Sequence, residues 1–299
     1  MKNVIKCFIW IIKYFIISII YFFNKPKVKI LNDKETLNYI FDGYSISRFG
    51  DGEIRWLLNS KITPAFQERD MKLSKDLKNV FQSQDDKLLV CLPENIINMN
   101  NKTLESKFFW KKFVIDYWNE FKLYVDDKRV YGNTNLTRFY MDYKNKKVSV
   151  SKIEEIKEIW NEKNILIVEG CQTRLGVGND LFEKAKTIKR ILCPAENAYK
   201  VIDDIYIEIT KNIRNIDIVL IALGPTATVL AHKLLQEKIQ VLDIGHIDIE
   251  YEWFKNGAKR KSKIEGKYVN ELGGIFGNIE LNDKKYQSEI FTKVDGGTK

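Results

Sequence analysis

The sequence predicts an α/β protein, with a Rossmann-like, mostly parallel sheet and helices on both faces. Three observations carry that expectation. From residue 30 onward, short β-rich runs alternate with helix-like stretches, the pattern of a sheet built from crossover units. Several of those runs are continuously apolar rather than alternating, as in strands covered on both faces. And the residues that follow five of the runs are Gly, Asp, Glu, Asn, Thr or His, where ligands bind outside the carboxyl ends of parallel strands.

The chain opens with VIKCFIWIIKYFIISIIYFF over residues 4–23, about the length needed to cross a bilayer. Lys6 and Lys13 are seven residues apart and fall on one helical face. A lysine near a bilayer centre costs about 2.5–3.5 kcal/mol, so a spanning helix and a helix lying in the interface are both open. A buried core helix is the plainer alternative. No small-residue cleavage site follows, which argues against a removed signal peptide. Lys25, Lys27 and Lys29 surround Pro26 as a basic collar suited to anionic lipid. Residues 1–29 are therefore expected to act as a membrane-anchoring segment.

Strands are expected at 44–49, 87–92, 164–169, 189–193, 216–223 and 239–244. Helices are expected at 33–42, 70–82, 105–122, 151–161, 179–187, 197–213 and 225–236. Residues 95–150 are rich in Asn, Lys and aromatics with few strand signals, and read as a helical insertion within the 30–299 domain. After residue 255 the chain is basic, then glycine-rich, and is expected to be irregular.

Composition bounds the function without choosing it. A hydrophobic content of 44% with 12% aromatics supports a packed core and excludes a disordered chain. The formal charge of +9 suits an anionic membrane, a phosphorylated substrate or nucleic acid. Cys7, Cys91, Cys171 and Cys193 have no zinc-like or CxxC spacing; Cys91 and Cys193 sit in apolar runs and read as buried thiols. No disulfide framework is expected, in agreement with a reducing compartment.

The strand ends hold the candidate chemistry. After the first strand comes Gly50-Asp51-Gly52-Glu53, preceded by Arg48. Asp51 and Glu53 can both reach one hard divalent cation, Mn²⁺ or Mg²⁺, which prefers oxygen ligands; the plainer reading is a helix-start pattern. Arg48 is a candidate phosphate fork. Arg174-Leu-Gly176-Val-Gly178-Asn179-Asp180 is glycine-rich and expected to lead into a helix whose N-terminus could hold phosphate, or simply to cap it. Asn197 follows the 189–193 run. Gly224-Pro225-Thr226 starts another helix in a form suited to an anion. His246, Asp248 and Glu250 alternate with isoleucines, and as a strand extension would share one face, offering a general base.

At these residues the sequence resembles the GT-D-fold bacterial glycosyltransferases, a family first catalogued as a domain of unknown function and typified by a streptococcal adhesin glucosyltransferase. The matching segments are SISRFGDGE (45–53), LTRFY (136–140), ILIVEG (165–170), RLGVGNDLF (174–182), RILCPAENAY (190–199), ALGPTATVLA (222–231) and DIGHIDIEYEWF (243–254). They span nearly all the chain after residue 40. The resemblance implies a UDP-sugar donor and a divalent cation held by an Asp-X-Glu motif. Two stretches fit, and the reverse assignment is open: Asp51-Gly-Glu53 is favoured for metal, because Gly50 and Gly52 let a diphosphate approach. Asp248-Ile-Glu250 is assigned to the acceptor side, with Glu250 as base.

The resulting expectation is transfer of a hexose, glucose first, from a UDP-sugar to a lipid-linked glycan or a glycoprotein, at the cytoplasmic face of the cell membrane. A homo-oligomer is left open. A membrane-associated nucleotide-dependent phosphotransferase is the rival enzyme, without P-loop or kinase signatures to support it. A nucleic-acid-binding protein using Lys259–Lys263 is the non-enzymatic rival, without a recognised motif; the main expectation includes no nucleic acid partner.

Overall fold

A computed structural model describes residues 2–275 and 283–295. The order is α1 (Lys2–Asn24), β1 (Lys29–Ile30), α2 (Asp33–Phe41), β2 (Ser45–Arg48), α3 (Asp51–Leu57), α4 (Met71–Gln82) and β3 (Leu88–Leu92). Next come α5 (Leu104–Phe121), β4 (Val130–Asn133), α6 (Val148–Lys157), β5 (Asn164–Gly170), β6 (Thr187–Cys193) and α7 (Ile202–Asn212). Then follow β7 (Ile218–Ala222), α8 (Pro225–Lys233), β8 (Gln240–Asp243) and α9 (Ile247–Lys255). A small antiparallel ribbon of β9 (Tyr268–Val269) and β10 (Gly274–Ile275) precedes α10 (Lys284–Glu289) and β11 (Ile290–Lys293).

Nine strands form one sheet in the order β1-β4-β3-β2-β8-β7-β5-β6-β11, and its pairings are parallel. The central strands are buried along their whole length because both faces are covered: β7 reads Ile-Val-Leu-Ile-Ala with every residue buried. One face packs Leu166, Val168, Val219 and Ile221 against α3, α4, α5, α7 and α8. The other packs Ile165, Ile167, Ile218 and Leu220 against α2, α6 and α9.

Local signals explain the helices. Asn32 and Glu35 form a reciprocal capping box on α2, and Asp70 and Thr103 cap α4 and α5; caps of this kind are worth about 0.5–2 kcal/mol each. In α4, Leu73, Leu77, Val80 and Phe81 recur at helical spacing and are buried.

Four expectations are corrected. Residues 95–150 are not an insertion, because β4 lies inside the sheet between β3 and β1. Its Gly132 is what permits this: a Cβ there would meet Cys91 Sγ at 2.6 Å. Residues 179–186 form turns and bends rather than a helix, and Thr187 already begins β6; Leu181 and Phe182 are drawn into the core and the Leu181 carbonyl accepts from Trp160 Nε1 at 2.9 Å. Residues 247–255 form α9 rather than a strand extension. The tail is not wholly irregular, since α10 and β11 add a last strand beside β6; the rest of its glycine-rich part, 276–282 and 296–299, lies outside the described residues.

The N-terminal segment forms α1, which lies along α5. Trp10 and Tyr14 stack with Phe108, and the Tyr21 hydroxyl donates to the Ile96 carbonyl at 2.8 Å. Among the described residues no helix is long and apolar enough to cross a membrane.

Candidate active site

Strands β2 and β8 are neighbours in the sheet, yet their following helices leave in opposite directions. α3 packs on one face through Ile54, Trp56 and Leu57. α9 packs on the other through Ile247, Ile249 and Trp253. That divergence opens a crevice at the carboxyl ends of the two strands, the place where open parallel sheets bind ligands.

Arg48 ends β2 and Asp243 ends β8. The buried Asp243 carboxylate accepts from the Arg48 backbone N–H at 3.2 Å and from the Thr228 hydroxyl at 3.0 Å. The Arg48 guanidinium donates to Thr137 Oγ1 at 2.5 Å and lies over Gly245, whose φ of +46° and lack of a Cβ leave room for it. Glu53, in the first turn of α3, folds back so that Oε2 accepts from the Gly50 N–H at 3.0 Å. Burial, and then the nearby Asp243 charge, push Glu53 up to about 7. Burial raises Asp243 as well, against the pull of Arg48. Asp51 is more exposed and pairs with Arg55 at 3.5 Å.

Unpartnered polar atoms mark the same crevice. Arg48 Nε, Thr226 Oγ1 and Asn135 Oδ1 are buried without a hydrogen-bond partner. Leaving such a group unsatisfied costs about 1–3 kcal/mol. These three stand at or just after the ends of β2, β7 and β4, where a polar ligand would satisfy them. Thr226 stands in the first turn of α8, which begins at Pro225 as expected. Gly224 before it has φ +55°, and a Cβ there would strike Phe66.

A second polar group continues along the rim. His246 Nε2 lies 2.9 Å from Glu271 Oε2, and Arg138 bridges Glu271 at 2.5 Å and Glu250 at 3.6 Å. Burial would raise Glu271, but His246 and Arg138 hold it well below the usual carboxylate range.

The remaining sequence-expected residues are placed differently. Glu250 is 1% exposed; Oε2 accepts from the Tyr140 and Met141 amides at 3.1 and 2.8 Å. Asp248 is also buried and accepts from Gly176 N–H, Asn179 Nδ2 and Lys267 Nζ at 2.7–2.9 Å. The two carboxylates and His246 thus share no open face. Arg174 donates to the Gly266 carbonyl at 2.7 Å, and Gly176 is needed where a Cβ would meet Phe182 at 2.5 Å. Asp180 joins Lys157, Lys255 and Tyr251, each at 2.9 Å. Burial would raise its carboxyl, but these hydrogen bonds hold it well below the usual range. With no helix after Gly178, the 174–180 loop serves as a clamp on α9. Asn197 tethers the 66–68 segment, accepting from the Glu68 N–H at 2.7 Å and donating its own N–H to the Phe66 carbonyl.

Sequence reading passed over Asp243, Thr137, Arg138 and Glu271. Asp243 was open to detection, as a lone carboxylate closing an apolar strand. A cleft of about 560 Å³ lies elsewhere, against β6 and α10, lined by Gly178, Glu183, Arg190 and Glu289 among others. Its mixed charges are already paired, as in Arg190–Glu289 at 2.8 Å, so volume alone does not mark the site.

Comparison with known proteins identifies the family and the fold. The family model described as "Glycosyltransferase GT-D fold" matches residues 46–272. The chain is 37% identical over 270 residues to "Glycosyltransferase GlyD" of Streptococcus pneumoniae serotype 4, covering 89% of this chain and 33% of that protein. It is 36% identical over 274 residues to "Probable glycosyl transferase Gly" of Streptococcus gordonii, covering 91% and 39%. The chain therefore spans a third or slightly more of the length of these relatives. A solved structure described as "The highly conserved domain of unknown function 1792 has a distinct glycosyltransferase fold" superposes with a TM-score of 0.84 at 38% identity, covering 93% of this chain and 98% of that one. Another, "A New Glycosyltransferase (DUF1792) from Streptococcus sanguinis", gives 0.82 at 35% identity, covering 89% and 99%.

Proposed function

This chain belongs to the GT-D-fold glycosyltransferases, and from that premise we propose that it transfers a hexose, glucose first, from a UDP-sugar bound in the β2/β8 crevice to a glycan or glycoprotein acceptor. The carrying observation is the convergence of Arg48, Glu53 and Asp243 with the unpartnered Thr226 hydroxyl at the strand ends.

Asp51 and Glu53 fit a Mn²⁺ or Mg²⁺ ion. Both are oxygen donors of the kind these ions take, and burial together with the like charge of Asp243 disfavours a bare Glu53 carboxylate, a penalty that a divalent cation would relieve. Two carboxylates alone would leave the other coordination positions to donor diphosphate oxygens and water. Such an ion would neutralise charge on the departing UDP. Arg48 adds a fixed positive charge to the same crevice.

On the acceptor side the roles divide by exposure. His246 is partly exposed, with Nε2 2.9 Å from Glu271 Oε2, which makes it the base we assign for the acceptor hydroxyl. Glu250 holds the Tyr140–Met141 backbone and Arg138, which makes it a positioning residue. Asp248 ties α9 to the 176–179 loop and to Lys267 in the same way.

The test is UDP release by the full chain from UDP-glucose, UDP-galactose and their N-acetyl forms, with and without Mn²⁺. Metal-dependent release from one donor, abolished in Asp51→Asn and Glu53→Gln, is the expected result. Release from none of the four, with no melting shift on UDP and Mn²⁺, would overturn the donor assignment.

A further inference from the structure

We infer that α1 is a membrane-binding element that lies in the plane of an anionic bilayer, carried on α5, with its outward apolar face as the docking surface. This surface is independent of the donor chemistry above.

The two faces of α1 are distinct. Trp10, Tyr14, Ser18 and Tyr21 point to the body of the protein. Lys111 of α5 reaches between them, with Nζ 2.7 Å from Ser18 Oγ and 3.2 Å from the Tyr14 hydroxyl, and 4.4 Å from the Tyr14 ring centroid. These contacts repeat along the helix, so α1 is held lengthwise on α5 and not by one end. The opposite face is exposed and almost wholly apolar. Phe15 is 66% exposed, Phe22 75% and Phe23 80%, with Phe8, Ile12, Ile16 and Ile19 between and beside them. A continuous face of this size on a soluble surface marks an interaction site.

Charge selects the occupant. Residues 1–32 contain six lysines and no Asp or Glu. Lys6 and Lys13 are exposed beside the apolar face, and Lys25, Lys27 and Lys29 are exposed at its end. A second copy docking through this face would bring like charges together, whereas anionic headgroups complement them. A lengthwise seat on α5 also matches a helix lying in the interface, with its apolar side turned to the acyl chains, rather than one standing across the bilayer.

The docking face is one helix away from the proposed donor crevice. The Arg55 guanidinium of α3 lies over the rings of Phe113 and Tyr117 of α5, 5.7 and 5.5 Å from their centroids, and pairs with Asp51. A bilayer bound along α1 therefore brings lipid-linked acceptors to the crevice side of the molecule.

The experiment is co-sedimentation of the full chain with phosphatidylcholine vesicles, with and without phosphatidylglycerol, alongside sedimentation velocity without lipid. Binding that needs the anionic lipid, weakens with salt and is released by alkaline carbonate is expected. Phe15→Glu/Ile19→Glu should abolish it without lowering the melting temperature, because both side chains already face outward. Replacing Lys25, Lys27 and Lys29 by Glu should weaken it at least about tenfold. No vesicle binding, or carbonate-resistant insertion, would overturn the inference. So would a lipid-free dimer that Phe15→Glu/Ile19→Glu dissociates.

Discussion

The Arg48 guanidinium sits so close over Gly245 that a Cβ at position 245 would meet Nη1 at 2.4 Å. The clash falls on the free end of a long side chain, so the fold can absorb it by swinging the guanidinium away. Function cannot absorb it as easily, if Arg48 neutralises the donor diphosphate. Gly245→Ala is expected to raise KM for the donor at least about tenfold, and to cost about 1 kcal/mol of stability from the +46° φ. Donor titrations and melting curves on the same samples separate the two effects.

Glu250 and His246 make opposite predictions. Glu250 is enclosed by amides and Arg138, so Glu250→Gln should lower the melting temperature while keeping kcat within about tenfold and leaving the pH–rate profile unchanged. His246→Asn should lower kcat by about 10²-fold or more with little change in donor KM, the range for a lost general base. A dead Glu250→Gln variant with an intact fold would return the base role to Glu250.

Lys102 carries a buried ammonium with no hydrogen-bond partner, placed 3.4 Å from the Tyr143 ring centroid. Burial lowers its pKa to about 8, against the opposing pull of Asp142 and Glu94. Between that value and the ordinary lysine pKa the folded state has released a proton that the unfolded state still holds, so stability rises with pH across that window. Below the window the penalty is present in full. Lys102→Met should therefore stabilise the protein by about 1–3 kcal/mol at neutral pH, and the gain should shrink as pH climbs above 8. Chemical denaturation at several pH values measures it.

Glu169 and Arg190 form a buried pair at 2.7 Å between β5 and β6. Removing one partner strands the other charge. Arg190→Met is expected to cost about 3–5 kcal/mol, and adding Glu169→Leu should recover much of that loss. A double-mutant cycle by urea denaturation reads the coupling directly.

Much of this architecture is visible in the residue order, and the exceptions have physical causes. The six expected strands agree with the observed ones within a few residues, because continuous apolar runs such as Ile165–Val168 need a two-sided core. β4 escaped because Val130-Tyr-Gly-Asn133 is short and has a glycine at its tightest contact. α9 was misread because its first turns bury every residue from Ile247 to Tyr251, carboxylates included, and the His-Ile-Asp-Ile-Glu alternation there mimics a strand. Asp51-Gly-Glu53 was legible as a candidate at a strand end, and α3 does begin there. The role of Asp243 was not, because it depends on β8 lying beside β2, a pairing set by topology rather than by neighbouring residues.

The family match ends at residue 272, but the sheet does not. β11 supplies the strand beyond β6, and Glu289 just before it completes the Arg190 fork. Grafting this unit into another polypeptide at the family boundary would leave β6 as a bare edge, ready to recruit strands from other molecules. The smallest transplantable cassette therefore runs through Lys293, and a shorter one should fail first as aggregation rather than as lost catalysis.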